Sequence, residues 1–358
     1  MKKQITSIAF SALFLSAGVF FTGCSKEDDK PEAPRTFENG VFVTNEGQFQ
    51  KGNGAVSFIN KQNNEVERDI FMTKNNRPLG DVVQSMTVHN GKAYVVVNNS
   101  EKIEIADAGT FKEAGSINGL KMPRYAVGLN NKLYVTEWVS YGVNGRVSVI
   151  DLASNTVSKT ITVGQLPEKV LLLNNKLYVV NNGENTVSVI NTATDAVENT
   201  LVVGDSPNSL AVDAASNLWV LCGGKKVYGG APDYALDLNA STAGSLVKIN
   251  GNAVENTFTF TSKADMPGNL AMNTAKTKLY YNAENKFYQM ETSASALPTT
   301  TFINRNFSGV GIDPATNTIY GAVTTSFSAN GKVIRYNTSG AALDSFTVAI
   351  GPNNFLFR

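Results

Sequence analysis

Nucleophilic, acid–base and metal chemistry need histidine, cysteine and carboxylate side chains in sets. This chain carries one histidine, His89, and two cysteines, Cys24 and Cys222, in 358 residues. No His-rich metal site, Ser–His–Asp set or Cys–His pair can be assembled from them. His89 stands just before Asn90-Gly91, a pair that favours a tight hairpin, so it reads as a turn residue and not as a catalytic base. Three carboxylates, Glu46, Glu137 and Asp233, are the candidates for an acid–base pair or an ion site. Neither a D-x-D-x-D-G calcium loop nor a glycine-rich phosphate loop is present. The expectation is a protein that is not an enzyme and holds no metal or cofactor. A carboxylate- or ion-dependent lyase or hydrolase is the catalytic alternative.

Side chains suited to binding are plentiful. Phe49, Trp138, Tyr141, Tyr228, Tyr234 and Phe327 sit in four long, irregular stretches at 46–54, 138–146, 223–244 and 324–332. Aromatic rings give large contact area at little entropic cost and are common at binding hot spots, although each is also able to staple its own loop. Polar groups recur beside them: Asn45, Asn98, Glu137, Asn181 and Asn182 at strand ends, and Arg77, Arg124 and Arg305 in crossings. Asparagine at a strand end also serves turn geometry. Together these groups predict a wide, neutral, amide-rich and aromatic bowl, suited to a large uncharged ligand rich in amides or hydroxyls.

What positions them is a repeat. Residues 175–212 read as four short apolar runs separated by Asn-Asn-Gly, Thr-Asp and Gly-Asp-Ser-Pro turns, a four-stranded antiparallel meander. Its second strand recurs seven times: VFVTN at 41–45, AYVVVN at 93–98, LYVTE at 133–137, LYVVN at 177–181, LWVLC at 218–222, LYYNA at 279–283 and IYGAV at 319–323. The strand before it also recurs seven times, the last at 354–358. Four-stranded repeats near forty residues predict an all-β, seven-bladed β-propeller. The folded part begins with a second strand and ends with a first strand. The N- and C-terminal strands must therefore share one blade and lock the ring. The long aromatic stretches all follow second strands, which places them on one face of the disc.

Residues 1–23 read as a lipoprotein signal peptide: Lys2-Lys3, an apolar stretch, then small residues before Cys24, the predicted lipidation site. A single transmembrane helix is the alternative, but the run is short and no basic flank follows. Residues 24–38 read as a lipidated, flexible tether with an acidic run, and 39–358 as the propeller. The charge of +1 for the whole chain becomes −1 once Lys2 and Lys3 leave with 1–23. A near-neutral chain without basic clusters argues against nucleic acid as a partner. With Cys24 carrying lipid and Cys222 alone, no disulfide framework exists, so strands must close the ring.

The blade text NTVSVI at 185–190, VENTLVVGDSP at 197–207 and VSVIDLASNTVSKTITVGQLP at 147–167 is similar to the YncE-like, surface-layer-type seven-bladed propellers. With the lipobox and the acidic run behind it, the chain resembles the BtuG family of Bacteroidetes surface lipoproteins. That resemblance implies capture of vitamin B12 (cobalamin) and related corrinoids as transported ligand, not cofactor. It also implies delivery to a BtuB-like, TonB-dependent transporter, and a lipid-anchored position on the exposed side of the outer membrane. No family contact motif matches residue by residue. The candidate ligand contacts come from the face reading: Asn45, Phe49, Asn98, Arg124, Glu137, Trp138, Tyr141, Asn181, Tyr228, Tyr234, Arg305 and Phe327. A glycan-binding surface propeller and a protein-interaction scaffold or adhesin are the other binding readings.

Overall fold

The structure, a computed structural model, describes residues 36–358. Its alternating apolar sequence forms seven antiparallel sheets, and the inner strand of each stands beside the inner strands of its two neighbours. These strands are Pro352–Phe357, Val83–His89, Pro123–Leu129, Pro167–Leu173, Pro207–Val212, Gly268–Met272 and Gly309–Ile312. They contact one another in sequence until the last returns to the first, which closes a seven-bladed propeller around a central channel. Blades are numbered here by chain order, blade 1 holding both chain ends. In it Gly40–Asn45 pairs with Pro352–Phe357, Val41 facing Phe357 and Val43 facing Phe355. The C-terminal strand thus supplies the inner strand that the N-terminal sequence lacks, as the phase of the repeat predicts.

The core lies between blades. Seven apolar clusters fill the seven interfaces, each drawing on two adjacent sheets. Second and third strands are buried on both faces, which explains why LYVVN and TVSVI read as nearly continuous apolar runs. Four inner strands begin with proline, where a missing N–H costs the ladder nothing. Glycine receives two of these rings: a Cβ on Gly145 would lie 2.2 Å from Pro167, and one on Gly331 would lie 2.3 Å from Pro352. Larger residues there would push the next blade away.

Three features depart from a uniform repeat. Blade 1 ends in a two-residue outer strand, Val66–Glu67, followed by a short helix, Ile70–Asn75, that the strand pattern does not predict. Asp69 caps it by accepting the Met72 N–H, and Ile70 and Phe71 are buried against blades 1 and 2. Phe37, assigned to the tether by sequence, packs instead in an aromatic group with Phe42, Phe58 and Phe111. Blade 6 has three ladder-paired strands, Gly268–Met272, Lys278–Ala283 and Lys286–Glu291. Its fourth place is taken by an irregular segment joined at one bridge, Phe287 to Ile303. Cys24, the signal sequence and nearly all of the tether lie outside the described residues. Among the described residues, no helix is long and apolar enough to cross a membrane.

Candidate functional site

Antiparallel strands put the loop after each second strand, and each crossing into the next inner strand, on the same face of the disc. At that face the amides predicted to fringe a bowl do something else. Asn98 donates to the Pro123 carbonyl at 3.0 Å, Asn182 to Pro207 at 3.2 Å, and Asn282 to Phe307 at 2.7 Å. In each pair the acceptor sits at the entry to the following blade, where no ladder partner serves the carbonyl. Asn208, Asn269 and Asn353, one residue inside their own inner strands, do the same for Pro267, Phe307 and Val83. Hydroxyls add Ser85 to Arg124, Thr136 to Glu168 and Ser308 to Pro352. The polar ring fastens blade to blade.

Several predicted contacts are therefore placed differently from the expected exposed rim. Asn45 is fully buried, its Nδ2 donating to Val43 O at 2.8 Å and Ser57 Oγ at 3.1 Å. Asn181, equally buried, donates to Thr186 and Ser188. Asn98 is buried on Pro123. Glu137 is enclosed by a two-pronged pair with Arg146, at 3.0 and 2.9 Å, and by Ser148 and the Lys121 N–H. A strand end that looks terminal in sequence is covered in space by the next blade. Arg77 lies against Glu104, Glu113 and the Phe71 ring, away from the mouth. Arg305 is exposed and bonds Tyr336 of blade 7. His89 sits at the opposite end of its strand, its Nε2 2.7 Å from Asn130 O.

What remains at the mouth is a charged cluster with an aromatic edge. Arg124, second residue of its inner strand, faces Glu168, second residue of the next, with Nη2 to Oε1 at 2.8 Å. The guanidinium lies 4.1 Å over the Trp138 ring, and Tyr141 meets that ring edge-on at 5.6 Å. Lys169 and Tyr125 line the same cavity of about 240 Å³ with Asn182, Asn208 and Asn269. Lys169 Nζ lies 5.9 Å from the Tyr125 ring. Glu46 of blade 1 accepts from Asn353 at 3.2 Å and lies within electrostatic reach of Arg124. Phe327 of blade 7 and Glu46 flank the same glycine, Gly351. Three predicted residues, Arg124, Trp138 and Tyr141, are thus brought together, while Phe327 stands at the crossing from blade 7 into blade 1.

Burial governs the titrations here. It raises the Glu46 and Glu168 carboxyls above their usual range, with Asn353 and Arg124 opposing at Glu46 and Arg124 and Lys169 opposing at Glu168. It lowers the Lys169 ammonium, with Glu168 opposing. It pushes the Tyr125 phenol up to about 12, helped by Glu168. Two acids, Glu46 and Glu168, stand against two bases, Arg124 and Lys169, so their formal charges cancel, with Arg124 and Glu168 directly paired. Among the described residues the Trp138 Nε1 donor is buried without a partner, as are the Oδ1 acceptors of Asn45, Asn155 and Asn181.

Glu168, Lys169 and Tyr125 were not singled out by the sequence reading. The signal is the register after proline: Pro123-Arg124-Tyr125 and Pro167-Glu168-Lys169 occupy identical places in adjacent inner strands. The remaining aromatics stand apart from the mouth cluster's contacts. Phe49, Tyr228 and Tyr234 are exposed, the last two on the 223–244 loop, which folds back on itself through a Tyr228–Leu236 bridge. Asp233 is exposed on that loop while Glu137 is sealed in blade 3, so Glu46, Glu137 and Asp233 do not converge. Among the described residues no three His, Cys, Asp or Glu side chains are grouped for a metal ion.

The family model for DUF5074, a domain of unknown function, matches residues 39–349. The chain belongs to the DUF5074 family. No curated protein matches it. Solved propellers resemble this DUF5074 chain in fold. A quinoprotein alcohol dehydrogenase-like protein of Bacteroides thetaiotaomicron VPI-5482 shares 15% identity at a TM-score of 0.65, over 90% of this chain and 79% of that one. A functionally unknown protein of Desulfotomaculum acetoxidans shares 10% at 0.62, over 89% and 98%. The dihydro-heme d1 dehydrogenase NirN shares 10% at 0.53, over 91% and 76%. Likeness at this identity shows the architecture alone, and the DUF5074 chain's chemistry rests on its own side chains.

Proposed function

We propose that this protein is a non-enzymatic, lipid-anchored surface protein that binds vitamin B12 and related corrinoids and passes them to a TonB-dependent outer-membrane transporter. Supporting the location are the lipobox at Cys24 and the acidic run behind it. Supporting the binding is the mouth: a concave, charge-balanced site with Trp138 and Tyr141 beside Arg124. The observation that carries the reading is the Trp138 indole N–H, buried without an acceptor. Such a donor costs about 1–3 kcal/mol unless a ligand supplies the acceptor. A corrin is fringed with amide carbonyls that would do so, and its nucleotide phosphate would find Arg124 and Lys169. Binding is the whole mechanism: the rings cover the ligand, the paired charges orient it, and the tether holds the disc over its transporter.

Calorimetry of the chain from Lys26 onward with cyanocobalamin tests this. Saturable heat at micromolar protein supports it, and no heat there rejects it. A second reading, a glycan-binding or protein-interaction propeller, is favoured by the exposed Tyr228 and Tyr234 on the projecting 223–244 loop. The same titration with a glycan panel separates the two, because a sugar ligand would be weakened by Tyr234→Ala and a corrinoid by Trp138→Phe.

A further inference from the structure

Blade 6 lacks a ladder-paired fourth strand, and the irregular segment in its place leaves a cleft beside it. Between the outer strand of blade 5, Ala253–Thr259, and the last two strands of blade 6 lies a cleft of about 530 Å³, walled on its outer side by residues 296–299. It shares no lining residue with the channel mouth. Its floor is aromatic. Tyr281 and Tyr288, opposite one another on adjacent strands, stack with centroids 6.0 Å apart, and Phe260 meets Tyr281 edge-on at 5.6 Å. Leu297 closes the side. The rim is acidic: Glu284 occupies a tight turn held by its N–H to Asp265 Oδ2 at 2.7 Å, and among the described residues its own carboxylate has only a 3.5 Å contact with Thr261. Burial raises the Tyr281 phenol, as a dry floor would.

We propose that this cleft is a second binding site, taking a flat, mostly apolar small molecule that carries a cationic or hydrogen-bond-donating group. The volume falls within the roughly 300–1,000 Å³ usual for such ligands. Phe260, half-buried and set at 70° to the buried Tyr281, offers its ring to a flat ligand, stacked or edge-to-face. The rim carboxylate selects the end that faces water. The site is independent of the reading given for the channel mouth.

The test uses the full chain and three probes that share an indole ring, tryptamine, indole and indole-3-acetate, titrated by ligand-observed NMR. Tryptamine should bind about threefold more tightly than indole, the size of a partly exposed ion pair, with indole-3-acetate weakest. Leu297→Trp, which fills the cleft from its wall, should weaken all three by about tenfold or more. Glu284→Gln should erase the advantage of tryptamine and leave indole unchanged. Should Leu297→Trp fail to fold, Thr299→Trp on the exposed rim blocks the same space. Absence of binding by every probe overturns the proposal. So does binding that survives a folded wall variant, or that is lost on Tyr141→Ala at the mouth.

Discussion

Arg124 joins two blades and a loop at once: its guanidinium bonds Glu168 at 2.8 Å and covers Trp138 at 4.1 Å. Both charged side chains are about one-eighth exposed, 14% and 12%. Removing one partner leaves the other charge poorly solvated. Arg124→Met, which strands the Glu168 carboxylate, should therefore lower stability by on the order of 1–3 kcal/mol, read by urea unfolding. Arg124→Met with Glu168→Leu should recover much of that loss. If the double variant is no more stable than the single one, the pair is not the cause.

Glu46 makes the mouth pH-sensitive in a definite direction. Burial raises its folded pKa above the ordinary value, with Asn353 and Arg124 only partly opposing. A carboxyl raised on folding favours the folded state below the unfolded pKa, near 4.5, and loses that contribution as pH rises through the folded value. Glu46→Gln should then raise the melting temperature at pH 7 and change it little at pH 4. An equal shift at both values would assign the effect to packing.

Asp213 behaves oppositely. Burial works against its charge, but Trp219 Nε1 at 2.9 Å, the Asn217 side chain and the Asn217 and Ala215 N–H groups outweigh it, and its pKa is lowered. Its stabilisation is present above the unfolded value near 4 and is lost as pH falls through the folded one. Asp213→Ala should cost about 2–4 kcal/mol at pH 7, because it strands buried donors. The cost should shrink below pH 3.

Ring closure was legible because it needs only the order of strands. VFVTN at 41–45 and the final strand each lack a neighbour that the other supplies. Truncation after Gly351 should abolish cooperative unfolding, since it opens the channel and bares the edge of Gly40–Asn45. The site was less legible. Alternation shows which face of a strand is apolar, but whether an amide at its end meets solvent depends on a chain segment about 25 residues later, as with Asn98 and Pro123. The Ile70–Asn75 helix had a local signal in Asp69, hidden by a strand pattern that ran on past it. The gap in blade 6 had none, because the sequence after Glu291 keeps the length of a strand without its pairing.

Trp138 separates ligand binding from stability more cleanly than any other mouth residue. Its ring supports Arg124, while its N–H has no partner among the described residues. Trp138→Phe keeps an aromatic face beneath the guanidinium and removes the stranded donor. Stability should stay level or rise slightly, since losing an unsatisfied buried polar group is not penalised. Affinity for cyanocobalamin should fall about fivefold, the worth of one neutral hydrogen bond. Asn98→Ala is the reverse case: by releasing the Pro123 carbonyl it should cost about 1–3 kcal/mol of stability and leave affinity in the folded fraction unchanged. If Trp138→Phe leaves calorimetric affinity intact while Asn98→Ala lowers it, the ligand is held by the amide ring after all, and the aromatic edge is only packing.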